Sequence, residues 1–130
     1  MPQLFKLNAK NLPLIPREAA FPEYNRSGLK AGIVHIGIGA FHRAHQAFYT
    51  DQILRNPLNK DWAICGIGLL ESDRKIIDVL TDQDGLYTVV ITEPDGMLSA
   101  RVIGSIIEYI YAPDNQEAVI EKMASHTALP

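Results

Sequence analysis

Apolar residues along the chain fall into short runs, and their spacing alternates between strand-like and helical. "IVHIGIG", residues 33–39, is apolar, β-branched and closed by glycine, as a buried parallel strand is. Residues 40–55 then place Ala40, Ala44, Ala47, Phe48 and Leu54 on a helical stripe that Asp51 interrupts. "NPLNK" breaks the chain, and "WAICGIGLL" predicts a second buried strand. A helix over 73–82 follows, with Ser72 as its cap, Ile76, Ile77 and Leu80 on one side and Gly85 past its end. "LYTVVIT" reads as a third strand and "EPDG" as a reversal. "SARVIG" and "IIEYIYA" have the β-branched and aromatic content of further strands, and the return reads as antiparallel. "APDNQEAVIEKMASH" opens a last helix, with Asp114 as N-cap and Glu117 three residues on in capping-box position.

This order, strand and helix twice and then further strands, predicts an α/β fold with a parallel βαβ core and additional strands. Residues 1–32 carry prolines at 2, 13, 16 and 22 and no sustained period, so they are expected to form an irregular arm over a domain spanning 33–130. The chain stops at "TALP", where an alternating fold lays down its next strand, so the sheet is expected to be incomplete and the chain to be a fragment or one domain of a longer protein.

Composition narrows the function classes. At 130 residues, with 47% hydrophobic and 21% charged residues, the chain suits one packed domain rather than a disordered segment. A net charge of −3 offers no basic stripe for phosphate backbones, which argues against nucleic acid as a partner. No apolar run approaches the roughly 20 residues of a membrane-spanning helix. The one cysteine, Cys65, lies inside an apolar run, the setting of a buried structural thiol in a reducing compartment, and a cytoplasmic protein is expected.

The chemistry centres on Gly37-x-Gly39. In a nucleotide-binding βαβ unit the first glycine permits the tight turn and the second lets a pyrophosphate approach the backbone at a helix N-terminus. The third glycine of that pattern would fall at position 42, where a histidine stands, followed by Arg43 and His45. His42 and His45 are spaced as a metal pair but lack an evident third ligand, and no metal site is expected. Instead Arg43 or one histidine is expected near the pyrophosphate, and the other histidine beneath the helix or bonded to the backbone. At the end of the second strand, Glu71 and Asp73 are placed to accept from the adenosine ribose, which favours NAD over NADP. Arg74 and Lys75 pull the other way, because either suits a 2′-phosphate, and Asp73 also reads as an ordinary helix-start acid.

"HIGIGAFHRAHQAFYTDQIL", "DWAICGIGLLESDRK", "GLYTVV" and "RVIGSI" resemble, in order and spacing, the N-terminal part of the polyol-specific long-chain dehydrogenases, which include mannitol 2-dehydrogenase and fructuronate reductase. In that family a histidine at the third-glycine position is normal. The resemblance implies a Rossmann-like cofactor domain, incomplete relative to the family, and an NAD-dependent oxidoreductase acting on a secondary alcohol of an open-chain polyol. It also implies that Ile36, Gly37, Ile38, Gly39, Ala40, Phe41 and Asp73 contact NAD. Mannitol to fructose is the first expectation and mannonate to fructuronate the second. The family's catalytic lysine, its assisting asparagines and histidine, and its "VDRI" stretch have no match here, so the catalytic residues are expected beyond Pro130 and the fragment alone is expected to be inactive. The rivals from other classes are an S-adenosylmethionine-dependent methyltransferase, which uses a similar glycine turn, and a non-catalytic nucleotide-binding module.

Overall fold

A computed structural model describes residues 3–16 and 18–125. The element order is β1 (Ala31–Ile36), α1 (Ala40–Ala44), α2 (Gln46–Ile53), β2 (Ala63–Gly68), α3 (Arg74–Asp82), β3 (Tyr87–Thr92), β4 (Leu98–Ile103), β5 (Ile106–Tyr111) and α4 (Gln116–Met123). β1, β2 and β5 form a parallel sheet in the order β1-β2-β5, while β3 and β4 pair antiparallel as a separate hairpin. The parallel βαβ core and the antiparallel return are both as the sequence predicts.

β2 has a strand on either side and is buried along its whole length, whereas β1, at the sheet edge, is mostly half-buried. The two-residue period divides β2 between two cores. Ile64 packs with Ile38, Ala47, Ile77, Leu80, Tyr87, Ile103 and Ile106, beneath the helices that follow β1 and β2. Cys65 and Ile67 pack with Ala31 and Ala112, and Val119 brings α4 onto that face. Gly66 and Gly68 share the first face because helices press there. A Cβ on Gly66 would stand 2.5 Å from the Ile38 side chain, and one on Gly68 would stand 3.0 Å from Ile77.

Several local expectations are corrected. The single helix over 40–55 is broken at His45, whose backbone sits at φ −121° and ψ −85°. In an unbroken helix the His45 N–H would reach the Phe41 carbonyl. Here the His45 ring Nδ1 takes that carbonyl at 2.7 Å, and the backbone N–H turns to His42 O at 3.3 Å. Ser72 does not cap α3: a 3-10 turn over Glu71–Asp73 leads into the helix, whose N-cap is Asp73. The last helix is capped by Asn115, not Asp114, with the Asn115 side chain accepting from Ala118 N at 3.0 Å. α4 ends at Met123, and "TALP" lies outside the described residues. Gly85 does follow α3 as expected, at φ +78°, and a Cβ there would stand 2.3 Å from Ile106 O.

The N-terminal segment is a docked arm with two 3-10 turns, Ala9–Leu14 and Arg26–Gly28. Ala20 bridges to Arg101 of β4. Tyr24 donates its hydroxyl to the fully buried Asp51 at 2.5 Å, and Asp51 Oδ1 also accepts from Gly104 N at 3.0 Å. Burial and the Asp51 carboxylate both push the Tyr24 hydroxyl well above its usual range, so it stays protonated and donates. Asp51, which interrupts the helical stripe, is thus the anchor of the arm. Regular structure begins at Ala31, two residues before the expected domain start.

Candidate nucleotide site

β1 and β2 end level, since Ile36 pairs with Ile67, so the segments that follow them lie side by side at the carboxyl edge of the sheet. After β1 the chain turns at Gly37, whose φ of +101° is left-handed backbone open to glycine. Gly37 N still donates to Ile67 O at 2.8 Å, and the His35 ring Nδ1 donates to Gly37 O at 2.8 Å, fixing the turn from both sides. Gly39 then caps α1 in extended conformation, φ −74° and ψ −179°, and a Cβ added to it would meet nothing within 4 Å. The space above Gly39 is open.

Around this turn lies a depression of about 370 Å³, lined by His35, Gly37, Gly39, Phe41, His42, His45 and Gln46. Two larger hollows, about 690 and 660 Å³, lie along the arm, share Glu23 and Arg55, and include no residue of the glycine turn. The remaining turn residues divide by exposure. Ile36 and Phe41 face solvent, Phe41 at 79% exposed and stacked on the His45 ring, whereas the Ile38 side chain is fully buried in the core. Ile38 therefore has only its backbone to offer a ligand, and its carbonyl already accepts from Arg43 Nε at 3.1 Å. Ala40 is exposed at the start of α1.

The expectation for Arg43 and the two histidines resolves in part. Arg43 is held by Ile38 O and by the Tyr87 ring 5.7 Å away, and Tyr87 in turn donates its hydroxyl to Arg43 O at 2.6 Å. His45 bonds to the backbone, and His42 packs beneath α1 at 6% exposure, stacked on His35 with ring centroids 3.6 Å apart. Among the described residues neither His42 nitrogen has a hydrogen-bond partner. Burial pushes its pKa down to about 4, His35 adds to the effect and the neighbouring Gln46 opposes it, so the ring is neutral at pH 7. Among the described residues no three His, Cys, Asp or Glu side chains gather as a metal site, and no helix is long and apolar enough to cross a membrane.

Asp73 stands at the end of the neighbouring strand, half-buried, with its Oδ2 accepting from the N–H groups of Leu69 and Leu70, both at 2.9 Å. Among the described residues its Oδ1 accepts no hydrogen bond. Arg74 is turned elsewhere: its Nη2 donates to Asp114 Oδ2 at 2.7 Å, and its guanidinium lies 4.3 Å over the Tyr111 ring.

Residues 31–129 match the family model described as the mannitol dehydrogenase Rossmann domain. The chain belongs to the mannitol dehydrogenase Rossmann-domain family. A mannitol 2-dehydrogenase of Phaeosphaeria nodorum is 50% identical over 123 residues, covering 95% of this chain and 21% of that protein. One of Aspergillus niger is 50% identical over 124 residues, covering 92% of the chain and 25% of the relative. The structure of Pseudomonas fluorescens mannitol 2-dehydrogenase in ternary complex with NAD and D-mannitol superposes with a TM-score of 0.89 at 43% identity, covering 95% of this chain and 25% of that one. A substrate-free D-sorbitol dehydrogenase gives a TM-score of 0.85 at 37% identity, covering 94% and 25%. The chain thus spans about a quarter or less of the length of these relatives.

In this mannitol dehydrogenase Rossmann domain the His42 ring at the third-glycine position fills the space between α1 and β1 by stacking on His35, where the usual glycine would let helix and strand approach more closely. Sequence reasoning passed over the features that hold the site rigid. The Tyr87 hydroxyl on Arg43 O and the Ser105 hydroxyl on Ala47 O at 2.6 Å tie the broken helix to β3 and to the β4–β5 connection. Tyr87 and Ser105 are 44 and 58 residues from their partners, and no local pattern signals such pairs.

Proposed function

We propose that this chain is the NAD-binding part of a polyol dehydrogenase, with mannitol to fructose the reaction of the whole protein. The observation that carries the reading is the unobstructed approach to Gly39, one strand away from a carboxylate oxygen left free on Asp73. A diphosphate needs backbone without side chains, and a ribose diol needs an acceptor at the neighbouring strand end. The residues present suit both. In this reading Gly37, Gly39, Ala40 and Phe41 hold the pyrophosphate through backbone groups, Ile36 and the backbone of Ile38 border it, and Asp73 Oδ1 accepts from the ribose hydroxyls. The Asp73 carboxylate also repels a 2′-phosphate, which favours NAD over NADP.

When bound, NAD would supply the hydride acceptor for oxidation of a secondary alcohol. The chain's own residues bind and orient the cofactor. Removal of the hydroxyl proton falls to residues outside the chain, because a polyol hydroxyl needs a base and stabilised oxyanion to release hydride. The sheet and helices from Ala31 onward thus act as the cofactor domain, and the described residues before it as an arm bracing it. Cys65, fully buried and with its thiol pushed up to about 11 by burial and Glu108, is unreactive, which fits a reducing, cytoplasmic setting.

The mannitol 2-dehydrogenases among the relatives support mannitol ahead of mannonate, and the family match supports NAD ahead of S-adenosylmethionine. Calorimetric titration of the 130-residue chain with NADH, NADPH and S-adenosylmethionine tests the cofactor. Tighter binding of NADH is expected, whereas binding of S-adenosylmethionine without NADH overturns the reading. For the substrate, the whole protein is assayed with NAD on mannitol, arabinitol, sorbitol and mannonate. Preference for mannonate would replace mannitol with the fructuronate reductase reaction.

A further inference from the structure

We infer that Asp114 is a determinant of cofactor choice, acting by holding the Arg74 guanidinium away from the ribose site. The inference rests on the NAD reading above and concerns what that site excludes. An arginine immediately after the ribose-reading acid is a ready partner for a 2′-phosphate, since its planar fork matches phosphate oxygens and its charge offsets the repulsion from the acid. By sequence alone, Arg74 ought therefore to admit NADP.

The fold disposes of it. Arg74 donates to Asp114 Oδ2 at 2.7 Å across 40 residues of sequence, and its guanidinium covers the Tyr111 ring at 4.3 Å. Tyr111 ends β5 and Asp114 follows in the turn before α4, where Asp114 N donates to Tyr111 O at 3.2 Å. The two contacts therefore come from one local unit, and together they fix the position of the guanidinium. Asp114 is free for this task because Asn115 has taken the capping role at α4, leaving the Asp114 carboxylate without duty to the helix. Asp73, meanwhile, points its Oδ2 back to Leu69 and Leu70 and makes no bond to Arg74. The acid and the base that sequence places side by side are thus separated. Lys75, exposed and one residue further round α3, makes no such contact and is unaffected by the arrangement.

The Arg74–Asp114 pair is half exposed on both sides, at 51% and 62%, so its contribution to folding is small and its removal leaves the domain intact. The test titrates the chain and its Asp114→Ala and Asp114→Asn variants with NADH and with NADPH at low ionic strength. In both variants NADPH binding is expected to strengthen roughly 3–10-fold while NADH binding stays within about twofold. Adding Arg74→Ala to Asp114→Ala is expected to abolish the gain, and Asp114→Glu to keep the parent ratio. An unchanged NADH-to-NADPH ratio in a chain that binds NADH overturns this inference alone. Parallel weakening of both cofactors, or a gain that survives Arg74→Ala, overturns it as well. Failure of the parent chain to bind NADH removes the reading beneath it.

Discussion

Replacing Gly39 by valine separates the needs of the fold from those of the ligand. At φ −74° and ψ −179° the backbone is extended and open to any residue, and nothing lies within 4 Å of an added Cβ. The folding cost comes from exchanging glycine, a tolerated N-cap, for a poor one, and is under about 1 kcal/mol. For a domain of this size that lowers Tm by a few degrees, roughly 2–6 °C. Binding responds differently. Three added carbons stand where the pyrophosphate approaches, and loss of two charge-assisted hydrogen bonds from backbone N–H groups costs about 3–6 kcal/mol. That is a rise of at least about 100-fold in the NADH Kd. Fluorescence titration with NADH and thermal denaturation of the same samples measure the two effects. An NADH Kd within about fivefold of the parent value would refute the reasoning, because the phosphates would then lie elsewhere. Gly37→Val supplies the contrast: at φ +101° it is expected to lose about 1–2 kcal/mol of stability whether or not cofactor is present.

Three further outcomes are expected. Asp73→Asn keeps an oxygen for the Leu69 and Leu70 N–H groups, which Asp73→Ala would strand, and it should weaken NADH roughly 5–10-fold without weakening NADPH; equal loss for both cofactors in parallel titrations would exclude Asp73 as the ribose acceptor. The His42 ring stays neutral down to about pH 4 when folded but takes up a proton near 6.5 when unfolded, so stability should rise with pH between about 4 and 6.5 and level off above. His42→Phe should flatten that rise in Tm measured against pH, and an unchanged slope would assign it to other groups. Asp51→Ala deprives the Tyr24 hydroxyl and Gly104 N–H of their acceptor and should cost about 2–4 kcal/mol by urea denaturation, whereas a change below about 0.5 kcal/mol would show that the arm is held by other contacts.

Local pattern and distant contact account for what the sequence disclosed and what it withheld. β2 was legible because six consecutive small or β-branched residues suit a strand buried on both faces, and the turn was legible because Gly37 is the kind of residue its φ requires. The break at His45 was hidden, since it depends on a ring nitrogen competing with its own backbone for one carbonyl. Capping signals misled by one residue at α4, where Asp114 and Asn115 are both good caps: Asn115 takes the helix, and Asp114 pairs with Arg74, 40 residues away. The same pairing altered the meaning of Arg74, which by position alone argued for NADP. Asp51 was visible as a flaw in the helical stripe, but its partner Tyr24 lies in an arm without periodicity.

The arm also has a consequence for the order in which the chain assembles. Arg26 donates to Gly104 O at 3.0 Å and to Asp84 O at 2.8 Å, so its partners lie 78 and 58 residues downstream. During synthesis the arm emerges ahead of its docking ground, which exists only once the β4–β5 connection has been made. The arm therefore settles only after the segments that hold it, although it precedes them in the chain. Pulse-labelled hydrogen exchange during refolding should find the backbone near Arg26 protected after that of β2, and simultaneous protection would show that the arm docks with the sheet.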